Sequence, residues 1–183
     1  DPVSHRLANL GLAESAKMNA RIGRQTELEA LLDEAQKRNL TDEARRKIES
    51  ASEGAWMMRH RPGVSFQCGP FALLNVAAAK NLDVTKKRTA FLEKAQSPST
   101  GFSIPEVHRM SAQLGLDLQI AKREVGAAII TPAVVHWKLG HFAAIVQPVN
   151  GAFLVKDPTF TNDTVMTAKA FDHEASGYFL VPA

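Results

Sequence analysis

Apolar residues follow two different rhythms along this chain. In the front third, Leu28, Leu31, Leu32 and Ala35 recur at helical spacing, and Thr41 stands ready to cap a helix whose first turn carries Asp42 and Glu43. This pattern predicts three short helices ending near residue 58. Residues 24–35 resemble one helix of a tetratricopeptide-type repeat, but such a unit buries its core only in several copies and no clear second copy follows. Arg59, His60, Arg61, Pro62 and Gly63 then interrupt the pattern, which places a boundary between a helical extension, 1–58, and a second domain, 59–183.

Behind the boundary, residues 69–79 are apolar except for Asn75, so the helix expected there should run through an interior, with Cys68 just ahead of it. A short helix is expected over 83–93. A third is marked by a capping box of Ser103 and Glu106, Pro105 in the first turn and Gly115 at the end, with Val107, Met110 and Leu114 as its buried stripe. After Leu116 the rhythm shortens to β-rich segments at 118–122, 132–137, 142–147, 152–156 and 178–181. Helices first and strands second predict an α+β domain, its helices packed on a mostly antiparallel sheet, preceded by the all-helical segment.

Composition narrows the chemistry. The chain has 183 residues, 45% of them hydrophobic, enough for a real core, and its 22 basic and 19 acidic residues are interleaved, which argues against nucleic acid. No apolar run approaches the roughly 20 residues that span a bilayer. The start at Asp1 reads as that of a soluble fragment of a longer, bacterial-type polypeptide and assigns no compartment. One cysteine excludes an internal disulfide and a multi-thiolate zinc site. Asp163, Asp172, His173 and Glu174 have no metal-ligand spacing and read as a solvated loop. No phosphate loop or dinucleotide fingerprint is present, so no cofactor is expected.

Cys68 is therefore the focus. Gly69 and Pro70 behind it suit the end of a loop and the start of a helix, where unpaired N–H groups and the helix dipole favour a thiolate. His141 opens one expected strand and Asp157 closes the next. His136 competes with His141, but it lies inside an apolar strand beside Trp137, where a packed, hydrogen-bonded histidine fits better. A two-residue turn at Asn150 and Gly151 would pair Asp157 with Ala144 and put Asp157 and His141 on opposite faces. A bulge, a longer loop or a departure from strand geometry is therefore required if they are to meet.

With these motifs quoted, residues 62–183 resemble the double-glycine leader peptidases, papain-like cysteine peptidases that clip bacteriocin precursors. The resemblance rests on Cys68-Gly69-Pro70, on Thr100-Gly101-Phe102-Ser103 through Leu114-Gly115-Leu116, on Pro132 with His136-Trp137 and Gly140-His141-Phe142, and on Asp157-Pro158. It implies a papain-like fold and cleavage of a peptide bond by Cys68 as nucleophile, His141 as base and Asp157 as the residue that orients it, through a thioester. The substrate would be a peptide or protein, either a leader or the parent polypeptide itself. The family's glutamine six positions before the cysteine is Pro62 here, which leaves Gln67 as the candidate oxyanion donor. The alternative is a catalytically weak or inactive peptidase-like domain that binds peptides or partners. The front helices could likewise dock a protein partner.

Overall fold

The computed structural model describes residues 1–160 and 163–183. By internal contacts the chain divides into two compact units, Asp1–Ser65 and Phe66–Ala183.

The first unit is helical: α1 (Pro2–Ile22), α2 (Gln25–Gln36), α3 (Asp42–His60) and the single turn α4 (Pro62–Ser65). Two of the helices are longer than expected, with 21 residues in α1 and 19 in α3. Their contact is built from small side chains. Ala13, Ala16, Ala44 and Ala51 are fully buried, and a Cβ added to Gly54 would meet Ala20 at 3.0 Å. Thr41 does cap α3, its Oγ1 accepting from the Ala44 N–H at 3.4 Å.

The second unit holds α5 (Cys68–Ala79), α6 (Thr85–Lys94), α7 (Ile104–Ser111), α8 (Ala168–Glu174) and six strands: β1 (Leu118–Lys122), β2 (Ala133–Trp137), β3 (Phe142–Val149), β4 (Ala152–Lys156), β5 (Thr164–Met166) and β6 (Ala175–Pro182). The strands form one sheet in the order β1-β6-β2-β3-β4-β5, every pair antiparallel. This is an α+β arrangement, as the segregation of helical and strand patterns predicts.

Two hydrophobic layers hold it. On one face, Leu73, Val76 and Ala77 of α5, Phe91 of α6 and Val107 of α7 pack on Val134, Phe142, Ala144 and Leu180. On the other, Phe171 of α8 stacks on Trp137 at 5.6 Å and meets Phe153 edge-on at 5.9 Å. The strand β5 and the helix α8 were not expected. The segment that reads as a solvated loop over Asp172, His173 and Glu174 is helical because Phe171 is buried and Arg123 anchors it: the Arg123 Nη1 donates to Asp172 at 2.6 Å. Asp163 lies 3.5 Å from Lys156. Among the described residues no cluster of three or more side chains could hold a metal, and no helix is long and apolar enough to cross a membrane.

The start of α5 differs from expectation in two details. Cys68 is the first helical residue rather than the one before it. Gly69 serves packing rather than a turn, because its φ is not positive and a Cβ there would lie 2.6 Å from Val107 Cγ2. Val107 is fully buried and has no room to yield. Gly69→Ala should therefore cost about 1–3 kcal/mol by forcing α5 and α7 apart. Urea unfolding checks this, and an unchanged midpoint would mean that Val107 adapts freely.

Candidate active site

The site is assembled at the point where the N-terminus of α5 meets the start of β3 and the end of β4. In α5 the Phe71 N–H bonds the Gln67 carbonyl, so the N–H groups of Cys68 and Gly69 have no intrahelical acceptor, and Pro70 has no N–H to satisfy. Cys68 is half-buried against the helical face of the core.

His141 is set by the turn between β2 and β3. The Trp137 N–H donates to the His141 carbonyl at 2.8 Å, the Gly140 N–H to the Trp137 carbonyl at 3.0 Å, and Gly140 sits at φ 75°, the left-handed residue that a three-residue hairpin loop requires.

Asp157 reaches His141 through a bulge. The β3–β4 turn is the tight two-residue form, with Asn150 at φ 48°, Gly151 at φ 78° and Val149 opposite Ala152. The register runs from there to Gln147 opposite Leu154 and then slips, so that Ile145 faces Val155 and Ala144 faces Lys156. Val146 is the additional residue. Carried one step further, the slipped register puts Asp157 level with Ala143, which shares its face with His141, instead of with Ala144. The parity conflict of the unbulged hairpin is removed by this one residue.

The resulting contacts are short. The His141 Nε2 lies 2.8 Å from Asp157 Oδ1 and 2.9 Å from Oδ2, and the two side chains are only 5% and 8% exposed. The ring also interacts with the Cys68 thiol, and since Nε2 is taken by Asp157, Nδ1 is the nitrogen left for it. Burial pulls the His141 pKa down. Its interactions with Asp157 and Cys68 outweigh it, and the pKa is raised from 6.5 to about 9. The ring is thus held as an imidazolium across the neutral range.

Asp157 is itself held by its own turn. The Phe160 N–H donates to the Asp157 carbonyl at 3.2 Å and the Thr159 N–H to Asp157 Oδ1 at 2.8 Å, with Pro158 between. Thr159 Oγ1 also lies 3.1 Å from His141 Nε2. Sequence reading passed over Thr159. The signal was the position two after an aspartate in a proline turn, where a backbone N–H returns to the carboxylate.

The other histidine is placed elsewhere. His136 Nδ1 is 2.8 Å from Ser176 Oγ and its ring packs 4.8 Å from that of Phe142; burial, and then the charge of His141, lower its pKa. The amide of Gln67 bonds the end of α6. Its Nε2 donates to the carbonyls of Leu92, at 3.3 Å, and Ala95, at 3.5 Å, at the end of α6. Backbone N–H groups at the start of α5 lie beside the thiol.

The family model of the peptidase C39 family matches residues 64–183. The chain belongs to the peptidase C39 family. It is a cysteine peptidase, and its only thiol is that of Cys68. Among solved structures the peptidase is similar to a double glycine motif protease from an AMS/PCAT transporter in complex with the leader peptide, at 21% identity over 63% of this chain and 84% of that one, with a TM-score of 0.51. It is also similar to the N-terminal peptidase C39 like domain of a toxin secretion ATP-binding protein from Vibrio parahaemolyticus, at 13% identity over 60% and 90% of the two chains and a TM-score of 0.48. For the peptidase domain of Streptococcus mutans ComA the corresponding values are 17%, 64%, 91% and 0.45. No curated protein matches the chain.

Proposed function

We infer that Cys68, His141 and Asp157 are the catalytic triad of this peptidase and that its substrate is a leader-type peptide. The observation that carries the reading is the ring of His141, hydrogen-bonded at Nε2 to Asp157 and interacting on its other side with Cys68. A leader-type substrate is supported by the likeness to a protease held in complex with a leader peptide.

In the reaction the Cys68 thiolate attacks the scissile carbonyl carbon, and the carbonyl electrons move to the oxygen, which the Cys68 N–H faces at the helix start. As the C–N bond breaks, His141 passes its Nδ1 proton to the leaving amine, and a thioester remains on Cys68. Now neutral at Nδ1, His141 takes a proton from water. The hydroxide so formed attacks the thioester, and the thiolate leaves to restore the starting pair. Asp157 keeps the remaining ring proton on Nε2 throughout, which fixes the tautomer.

The group that must be protonated to release the amine is His141, whose pKa is about 9. Its acid form is present below that value and lost above it, so cleavage of a Gly-Gly-bearing leader peptide should fall as pH rises through about 9. In Asp157→Ala this alkaline limb should move down toward 6.5, the ordinary value for histidine. The accompanying control is alkylation of Cys68 with iodoacetamide. Cleavage that survives complete alkylation sinks the reading.

One observation favours a second reading, a slow peptidase kept for peptide binding: Pro62 lacks a side-chain donor and the Gln67 amide is engaged with α6. The absence of one oxyanion donor typically lowers turnover about 100- to 1,000-fold.

A further inference from the structure

The nitrogen of His141 that faces Asp157 carries a single hydrogen, yet three oxygens surround it: Asp157 Oδ1 at 2.8 Å, Asp157 Oδ2 at 2.9 Å and Thr159 Oγ1 at 3.1 Å. The carboxylate alone holds the ring from one side and leaves it free to rock about the line joining Nε2 to the two oxygens. A third oxygen, carried by a different residue, restricts that motion.

Thr159 is also tied to the carboxylate. Its backbone N–H donates to Asp157 Oδ1 at 2.8 Å, inside the turn closed by the Phe160 N–H. One residue therefore touches both partners of the pair, through its backbone on Asp157 and through its hydroxyl on His141. Thr159 is half-buried and its β-branched side chain has few rotamers to choose from, so the hydroxyl is held near Nε2 at small entropic cost.

We propose that Thr159 is a positioning residue: its backbone sets the Asp157 carboxylate, and its hydroxyl oxygen holds the His141 ring in the plane and tautomer that turn Nδ1 toward Cys68. This rests on the triad reading and extends it to a residue outside the triad. The hydroxyl lone pair faces the Nε2–H, which is the stronger donor when the ring is charged, so the contact favours the charged ring. The backbone contribution survives substitution and the hydroxyl contribution does not, which makes the two separable.

Thr159→Val keeps the shape and the backbone donor but sets a methyl against Nε2. With a cleavable peptide, kcat should fall about tenfold with KM within about twofold, the size expected for one lost hydrogen bond to a charged group. Two readouts need no substrate. In protein labelled with 15N-histidine, the titration midpoint of His141, assigned by its loss in His141→Ala, should move to lower pH in Thr159→Val, and the rate of Cys68 alkylation near neutrality should fall. Thr159→Ser, which keeps the oxygen, should restore both. Circular dichroism checks the fold, and if the valine variant does not fold, Thr159→Ala is read in the same way.

A valine variant with the parent midpoint and alkylation rate, alongside a His141→Ala variant with an altered rate, overturns the role of Thr159 and leaves the triad standing. A serine variant as impaired as the valine one also overturns it, since shape and not oxygen would then matter. If His141→Ala itself leaves the alkylation rate unchanged, the triad reading falls and the role of Thr159 falls with it.

Discussion

His141→Ala should abolish peptide cleavage, lowering kcat by roughly 10,000-fold or more, because the same ring is asked to keep the thiol ionised and to protonate the leaving amine. The geometry allows no substitute. His136 is the nearest alternative in sequence, and its Nδ1 is bonded to Ser176 while burial disfavours its charged form. Without the imidazolium, the thiol at the head of α5 keeps the helix N-terminus as a positive neighbour. A thiol lacking a cationic partner is largely protonated at pH 6, so alkylation there should slow on the order of 10- to 100-fold. Iodoacetamide kinetics followed by intact mass read this directly, since Cys68 is the chain's only cysteine. Equal rates in parent and variant would assign Cys68 to packing rather than chemistry.

Deleting Val146 should be nearly as damaging as removing His141, although Val146 takes no part in the proposed mechanism. Its effect is one of counting. With Val146 present, Asp157 falls level with Ala143 and on the side of His141; without it, the two-residue turn at Asn150 and Gly151 would return Asp157 to Ala144 and the opposite side. The 2.8 and 2.9 Å contacts would then be broken, and cleavage should fall at least 1,000-fold, about the scale seen when a triad loses its orienting member. The check is a paired measurement of activity and of far-ultraviolet circular dichroism. A folded deletion variant with near-parent activity would show that the bulge is dispensable.

Much of this architecture was legible along the chain. The first four residues of β4 and the first five of β3 carry β-branched and apolar residues in unbroken runs, and the capping box of Ser103 and Glu106 holds as expected, with the Ser103 N–H donating to Glu106 at 2.7 Å. Whether His141 and Asp157 could meet was also a question that sequence parity could pose, though not answer, because nothing local in Val146 marks it as the residue that slips. What stayed hidden shares a cause: weak or distant partners. The strand β5 is a three-residue edge with two exposed positions, too short to alternate, and α8 buries only Phe171, which gives no period to detect. The helices α1 and α3 meet through alanines, whose apolar signal is faint, so their full length does not show. The engagement of Gln67 depends on carbonyls 25 and 28 positions away, beyond the reach of any local pattern.

The burial of α5 on nearly all sides bears on how such an enzyme can be turned off. Seven of its twelve residues are buried, and Asn75 is the one polar residue after Cys68. Segments of this kind exchange their amide hydrogens last, because opening them requires the whole unit to open. Cys68, the proposed nucleophile, should therefore lie on the last part of the domain to open, while Asp157 and Thr159 sit in a short turn after β4. Mild heat, denaturant or a competing ligand would loosen the charge-orienting side of the site long before the nucleophile, and control of this chemistry is more readily exerted there.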